Sequence, residues 1–138
     1  MYYLGDISAT EAYELLKNQE NSYLIDVRTT PEWIYSGVPD LTEISKRVYT
    51  ISWMFYPDMH LNQEFTQKIE EITEDKEASL LFLCKVGGRS AQAANETAKL
   101  GYANCYNISD GFEGDHNESQ QRGQVNGWKA AGLPWDQS

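Results

Sequence analysis

Residues 79–90 read "SLLFLCKVGGRS". After Ser79 the run to Cys84 is continuously apolar, the pattern of a β-strand covered on both faces. Gly87 and Gly88 follow, and then "RSAQAANETAKLG", residues 89–101, predicts an alanine-rich helix with Gly101 in the stop position. A strand therefore passes into a helix within a few residues. A chain that curls so tightly needs the positive φ angles that glycine permits.

The flanking sequence repeats the strand–helix alternation. "GDISATEAYELLKNQ", residues 5–19, sets Ser8 and Glu11 at capping-box spacing ahead of Ala12, Leu15 and Leu16, which share one helical face. "SYLIDVR" (22–28) reads as a strand, and Pro31 breaks the chain soon after. "RVYTIS" (47–52) reads as another strand. "NQEFTQKIEEI" (62–72) places Phe65, Ile69 and Ile72 on one stripe of a helix, and "NCYNI" (104–108) reads as a last short strand. This order predicts an α/β fold with a mostly parallel sheet, in one domain spanning residues 1–138. In such sheets ligands bind beyond the carboxyl ends of the strands, where Cys84 falls.

The segment from about 113 to 138 has a different character. Residues 111–138 hold five of the ten glycines. Its polar middle, Asp115 to Gln124, reads as a solvated loop, and "NGWKAAGLP" (126–134) as one or two helical turns that dock through Trp128.

Composition narrows the function. Eleven basic and 21 acidic residues give a net charge of −10, which argues against nucleic acid as a partner. An anionic substrate meets long-range repulsion, but salt screens it beyond about 8 Å, so a local pair such as Lys85 and Arg89 can dominate near the loop. No apolar stretch approaches the roughly 20 residues that span a bilayer, and the first residues carry acids with no apolar leader core. Two cysteines, Cys84 and Cys105, make neither a disulfide framework nor a zinc pattern. The expectation is a cytoplasmic protein with no membrane partner, no metal and no organic cofactor.

The loop carries the chemistry. Successive amides from Lys85 through Val86, Gly87 and Gly88 to Arg89 can turn inward as a nest for an anion, reinforced by the positive end of the following helix. A thiol at the rim of such a nest is expected to ionise near neutral pH without a histidine base. Two reactions suit a thiolate in an anion cradle: sulfur transfer through a persulfide, and phosphate-ester hydrolysis. Cysteine phosphatases place five residues between cysteine and arginine; here there are four, "KVGG", and the smaller ring suits a single sulfur.

Taken together, these stretches resemble the rhodanese family of single-domain sulfurtransferases. "YLIDVRTTPEWIYSGVPD" resembles that family's D-V-R…E-[FW]…G-H-I-P segment through Asp26, Val27, Arg28, Glu32, Trp33, Gly37 and Pro39, although the His-Ile before the proline is replaced. "LFLCKVGGRSAQAA" resembles its six-residue active-site loop, Cys84 to Arg89, and "GWKAAGLPW" its C-terminal W…G-x-P signature. The resemblance implies a three-layer fold with a central five-stranded sheet flanked by helices. It implies Cys84 as the persulfide-carrying nucleophile and Lys85, Val86, Gly87, Gly88 and Arg89 as the substrate cradle. The basic loop goes with thiosulfate, a small anionic donor, and with cyanide or a cellular thiol as acceptor. A second reading is a sulfur-carrier or regulatory module whose acceptor is a protein. A third, phosphatase or arsenate reductase, is disfavoured by loop length.

Asp26 and Arg28 read as a supporting pair, because a charge in a buried strand needs a partner. Cys105 reads as core, and His60 and His116 as surface. Trp53, Phe55 and Tyr56 fit equally an apolar wall beside the loop and ordinary core packing.

Overall fold

The computed structural model describes residues 2–137. Its centre is a five-stranded sheet, made of β1 (Gly5–Ile7), β2 (Ser22–Asp26), β4 (Val48–Thr50), β7 (Ser79–Leu83) and β8 (Asn104–Ile108), in the spatial order β1-β8-β7-β2-β4. Every pairing in it is parallel. The carboxyl ends of all five strands therefore face one side, and β7 brings Cys84 to the middle of that edge.

β7 is apolar from Leu80 to Leu83 because both faces of the sheet are covered. Every residue of β7 is buried. Successive side chains of a strand point to opposite faces. Ile25, Leu80, Phe82 and Cys84 thus pack with Phe65, Ile69, Ala93, Ala94, Tyr102 and Cys105 on one face. Leu24, Leu81, Leu83 and Ile108 pack with Ala9, Ala12, Leu16, Phe112 and Trp128 on the other. The first layer is closed by α3 (Phe65–Ile72) and α4 (Gly88–Ala98), and the second by α1 (Ala9–Asn18). This is the expected three-layer α/β architecture. The capping box on α1 is present, with the Glu11 amide donating to Ser8 Oγ at 3.1 Å and the Ser8 amide to Glu11 Oε1 at 2.9 Å.

Between β2 and β4 lie α2 (Thr30–Ser36), β3 (Val38–Pro39) and a 3-10 turn at Thr42–Ile44. Neither α2 nor β1 follows from the periodicity of the sequence. α2 buries none of its residues and so shows no apolar stripe; β2 ends at Asp26, ahead of Pro31, which occupies the first turn of α2, where a missing amide is harmless. β1 has three residues, held by register with Tyr106, Asn107 and Ile108.

A short hairpin, β5 (Met54–Phe55) with β6 (His60–Leu61), follows β4. The C-terminal segment returns to the body of the protein. Trp128 is fully buried, stands edge-on to Tyr13 with ring centroids 5.8 Å apart, and donates its indole N–H to the Pro134 carbonyl at 2.7 Å. Around it the chain makes one helical turn, with the Ala131 amide on the Gly127 carbonyl. β9 (Trp135–Asp136) then pairs antiparallel with β3. No helix among the described residues is long and apolar enough to cross a membrane.

Candidate active site

Cys84 is the first residue past β7 and is 1% exposed. Its sulfur accepts the Gly87 amide at 3.0 Å and lies 3.2 Å from Ser90 Oγ. The loop bends through Gly87, which adopts φ +103° and caps α4. A side chain at Gly87 would collide with the Ser109 carbonyl oxygen, so this position needs glycine on two counts. Gly88, the first residue of α4, is exposed and has open space around its missing Cβ. Among the described residues, none accepts from the amides of Lys85, Val86, Gly88 or Arg89. The loop thus sets one amide, that of Gly87, on the sulfur at a helix N-terminus and leaves four more without an acceptor among the described residues.

The loop is fixed from below by the turn after β8. The Phe112 amide donates to the Cys84 carbonyl at 2.8 Å, and the Glu113 and Gly114 amides to the Lys85 carbonyl at 3.1 and 3.2 Å. Gly111, at φ +69°, lets the two backbones touch. Lys85 is half-buried and Val86 is exposed. Among the described residues, Lys85 makes no ion pair.

Arg89, expected at the anion, has its guanidinium turned to α2 instead. Nη1 donates to Glu32 Oε1 at 2.6 Å and Nη2 to Oε2 at 2.9 Å, and each side chain is about a fifth exposed (21% and 22%). Burial alone would push the Glu32 carboxyl up. Hydrogen bonds and charge from Arg89, with the Thr29 amide and hydroxyl, hold it down at about 2. The hydrogen bonds to Glu32 in turn raise Arg89, against its own burial and with help from the charges of Glu32 and Asp26.

Asp26 and Arg28 form a fully buried pair at the end of β2. Nε reaches Oδ1 at 2.9 Å and Nη2 reaches Oδ2 at 2.7 Å. Arg28 Nη2 also donates to the Gly37 carbonyl at 2.7 Å, its guanidinium lies 4.2 Å from the centre of the Phe112 ring, and Ser52 Oγ donates to its carbonyl at 2.8 Å. One arginine so ties β2, the end of α2, the loop after β4 and the turn beneath Cys84. Its Nη1 is buried with no partner among the described residues.

The aromatic residues separate. Trp53 is core, edge-on to Phe65 at 5.1 Å, and donates to Gln92 of α4 at 3.0 Å; Phe55 and Tyr56 are exposed on the hairpin. His60 and His116 are exposed. Cys105 is core, and burial pushes its thiol up to about 12.

A family profile described as the STR4 middle domain matches residues 4–138. The chain belongs to that family. Its fold is rhodanese-like. The crystal structure of Rv0390 from M. tuberculosis superposes with a TM-score of 0.90 at 36% identity, covering 99% of each chain. An uncharacterized Rickettsia conorii protein is 42% identical over 131 residues, which are 94% of this chain and 95% of that one. The chloroplastic protein THYLAKOID RHODANESE-LIKE of Oryza sativa subsp. indica is 29% identical over 132 residues. This chain covers 25% of that longer protein.

Three polar residues of this rhodanese-like domain are not singled out for a role by the sequence reading. Glu32 enters that reading only as a match to the E-[FW] element of the family segment, with no role of its own. Ser90 looks like an ordinary helix-start residue, and Asn107 looks like a strand residue. The fold alone brings each of them to Cys84 or to its loop.

Proposed function

We propose that this rhodanese-like domain is a sulfurtransferase that moves a sulfane sulfur through a Cys84 persulfide. The observation that carries the reading is the contact between the Cys84 sulfur and the Gly87 amide, inside a loop whose remaining amides have no acceptor among the described residues. Such donors suit a sulfur anion, because charge-assisted hydrogen bonds are roughly twice as strong as neutral ones. With thiosulfate, the thiolate attacks the outer sulfur, the S–S bond of the donor breaks, and sulfite leaves with the electron pair. Cyanide or a cellular thiolate then takes the terminal sulfur and restores the Cys84 thiolate, a ping-pong cycle. Lys85, Val86, Gly87, Gly88 and Arg89 form the cradle, and Asp26 and Arg28 support it from beneath.

Mass spectrometry tests this reading. After incubation with thiosulfate the intact protein should gain one sulfur atom and lose it on cyanide treatment. Cys84→Ser should gain none. Failure of the parent protein to load from thiosulfate, polysulfide or a low-molecular-weight persulfide would sink it.

The ion pair of Arg89 with Glu32 favours a second arm of the same reading. With Arg89 neutralised, Lys85 is the loop's free cation among the described residues, so selection for a dianionic donor is weakened. In that arm Cys84 accepts sulfur and discharges it to a protein thiol. A persulfide that forms readily yet turns over slowly with cyanide distinguishes it from a thiosulfate:cyanide enzyme.

A further inference from the structure

A chain of side chains leads from the Cys84 sulfur, beside the central strand, to the edge strand β1. Ser90 Oγ, 3.2 Å from the sulfur, lies 2.6 Å from Asn107 Oδ1, and Asn107 Nδ2 donates to Asp6 Oδ1 at 3.0 Å. Tyr3 Oη donates to the same carboxylate oxygen at 3.0 Å. Ser90 and Asn107 are buried, whereas Asp6 on β1 is exposed.

The inventory of protons sets the direction of each bond. An ionised carboxylate only accepts, so Asp6 must face the Asn107 amide NH2, and the Asn107 carbonyl oxygen must face Ser90. A serine hydroxyl carries one proton. Three acceptors surround it: Asn107 Oδ1 at 2.6 Å, the Cys84 sulfur at 3.2 Å and the Gly87 carbonyl at 3.3 Å. The shortest, best-matched bond goes to Asn107. While that bond stands, Ser90 presents lone pairs to the sulfur, which suits a neutral S–H group donating into Oγ. An anionic sulfur needs the opposite arrangement, with the hydroxyl proton turned to it and the Asn107 oxygen left without that bond.

We infer that Asn107, oriented by Asp6, is a positioning residue that sets how readily Ser90 gives its proton to the Cys84 sulfur, and so how readily Cys84 becomes anionic. The inference rests on Cys84 being the reactive thiol of the proposed function, and it adds Asp6, Asn107 and Ser90 to the residues that govern it. Other charges around the site are Arg89 on α4 with its partner Glu32 on α2, Lys85 in the loop and the Asp26–Arg28 pair at the end of β2; none of them is in the chain from Ser90 to Asp6.

Alkylation with iodoacetamide, localised to Cys84 by mass spectrometry across pH 5–10, reads the sulfur without any sulfur donor. Asn107→Leu removes the competing acceptor, and the pH midpoint should fall by about half to one unit, the size expected of one net hydrogen bond. Asn107→Asp holds the Ser90 proton with a full charge, and the midpoint should rise. In Ser90→Ala the Asn107→Leu change should have no further effect. Because Asn107 is buried, exposed Asp6 supplies a second route. Asp6→Ala frees the Asn107 amide to turn and should lower the midpoint, whereas Asp6→Asn keeps an acceptor and should restore most of the parent value. Equal shifts for Asp6→Ala and Asp6→Asn, or an unchanged midpoint in Asn107→Leu, would overturn the inference. Absence of Cys84 alkylation at every pH would overturn the reactive-thiol reading beneath it, which separates the two failures.

Discussion

Glu32 in the first turn of α2 and Arg89 in the first turn of α4 meet as a two-pronged ion pair across 57 residues of sequence. Both sit at helix N-termini. For Glu32 that position is favourable on its own, since it completes the Thr29 capping box. For Arg89 it opposes the helix dipole, so the pair offsets a local penalty in the cysteine loop.

The pair gives an acid-sensitive contribution to stability. The Glu32 carboxyl sits at about 2 in the folded protein against an ordinary 4.5. A carboxyl lowered on folding stabilises fully above its unfolded value, and that contribution fades as pH falls toward the folded one. Glu32→Gln should cost about 2 kcal/mol near neutrality, allowing for partial solvent screening. The gap to the parent should narrow steadily from pH 5 to pH 2. Urea unfolding at several pH values measures it. A gap that stays constant through this window would mean that the pair contributes no linked stability.

The two loop glycines should respond oppositely to one methyl group. Gly87→Ala combines φ +103° with a collision against the Ser109 carbonyl, and backbone cannot yield as a side-chain tip can. A loss of about 2 kcal/mol or more is expected, with slower alkylation of Cys84 as its amide contact shifts. Gly88→Ala meets open space and starts a helix, so its stability should stay within about 1 kcal/mol of the parent. Thermal unfolding of the two proteins side by side decides it.

How much of this was legible in the sequence follows from which forces write themselves into local pattern. β2 and β7 are covered on both faces, so compact apolar runs expose them. α1 and α3 bury one face, so periodicity near 3.6 does, and α4 shows by its alanines and the Gly101 stop. The Cys84 loop shows itself by its glycines. α2 and β1 bury too little to leave a pattern; their positions depend on a capping box and on partners far along the chain. The contact of Arg89 with Glu32 is hidden from the sequence for the same reason. Loop spacing places the guanidinium beside an anion, but only the fold brings Glu32 near enough to take it. Ser90 and Asn107 are single polar residues in otherwise apolar elements, and nothing in their own neighbourhoods marks their meeting at the sulfur.

Asp26 and Arg28 are expected to behave as a unit. Asp26→Ala leaves the guanidinium buried without its partner and should cost about 3–5 kcal/mol. Replacing both, as Asp26→Leu with Arg28→Met, removes the uncompensated charge and should recover part of that loss. It should still weaken the links of Arg28 to the Gly37 carbonyl and the Phe112 ring. Denaturant titration of the single and double variants gives the comparison. A double variant no more stable than Asp26→Ala would mean that those links, rather than the charge balance, dominate.

The two cysteines should separate cleanly by reactivity. Cys105 is buried among apolar neighbours, and that burial pushes its thiol to about 12, against an ordinary 9.0. A thiol raised this far is neutral across the physiological range, and only the thiolate is an effective nucleophile. Iodoacetamide at pH 7.5 should therefore label the folded protein at Cys84 and spare Cys105. Both should be labelled once urea removes the core, because the shift belongs to the folded state alone. Peptide mapping after brief labelling counts the modified sites. Rapid labelling of Cys105 in the folded protein would show that this face of the sheet opens to solvent, and the buried layer between β8 and α4 would then need revision.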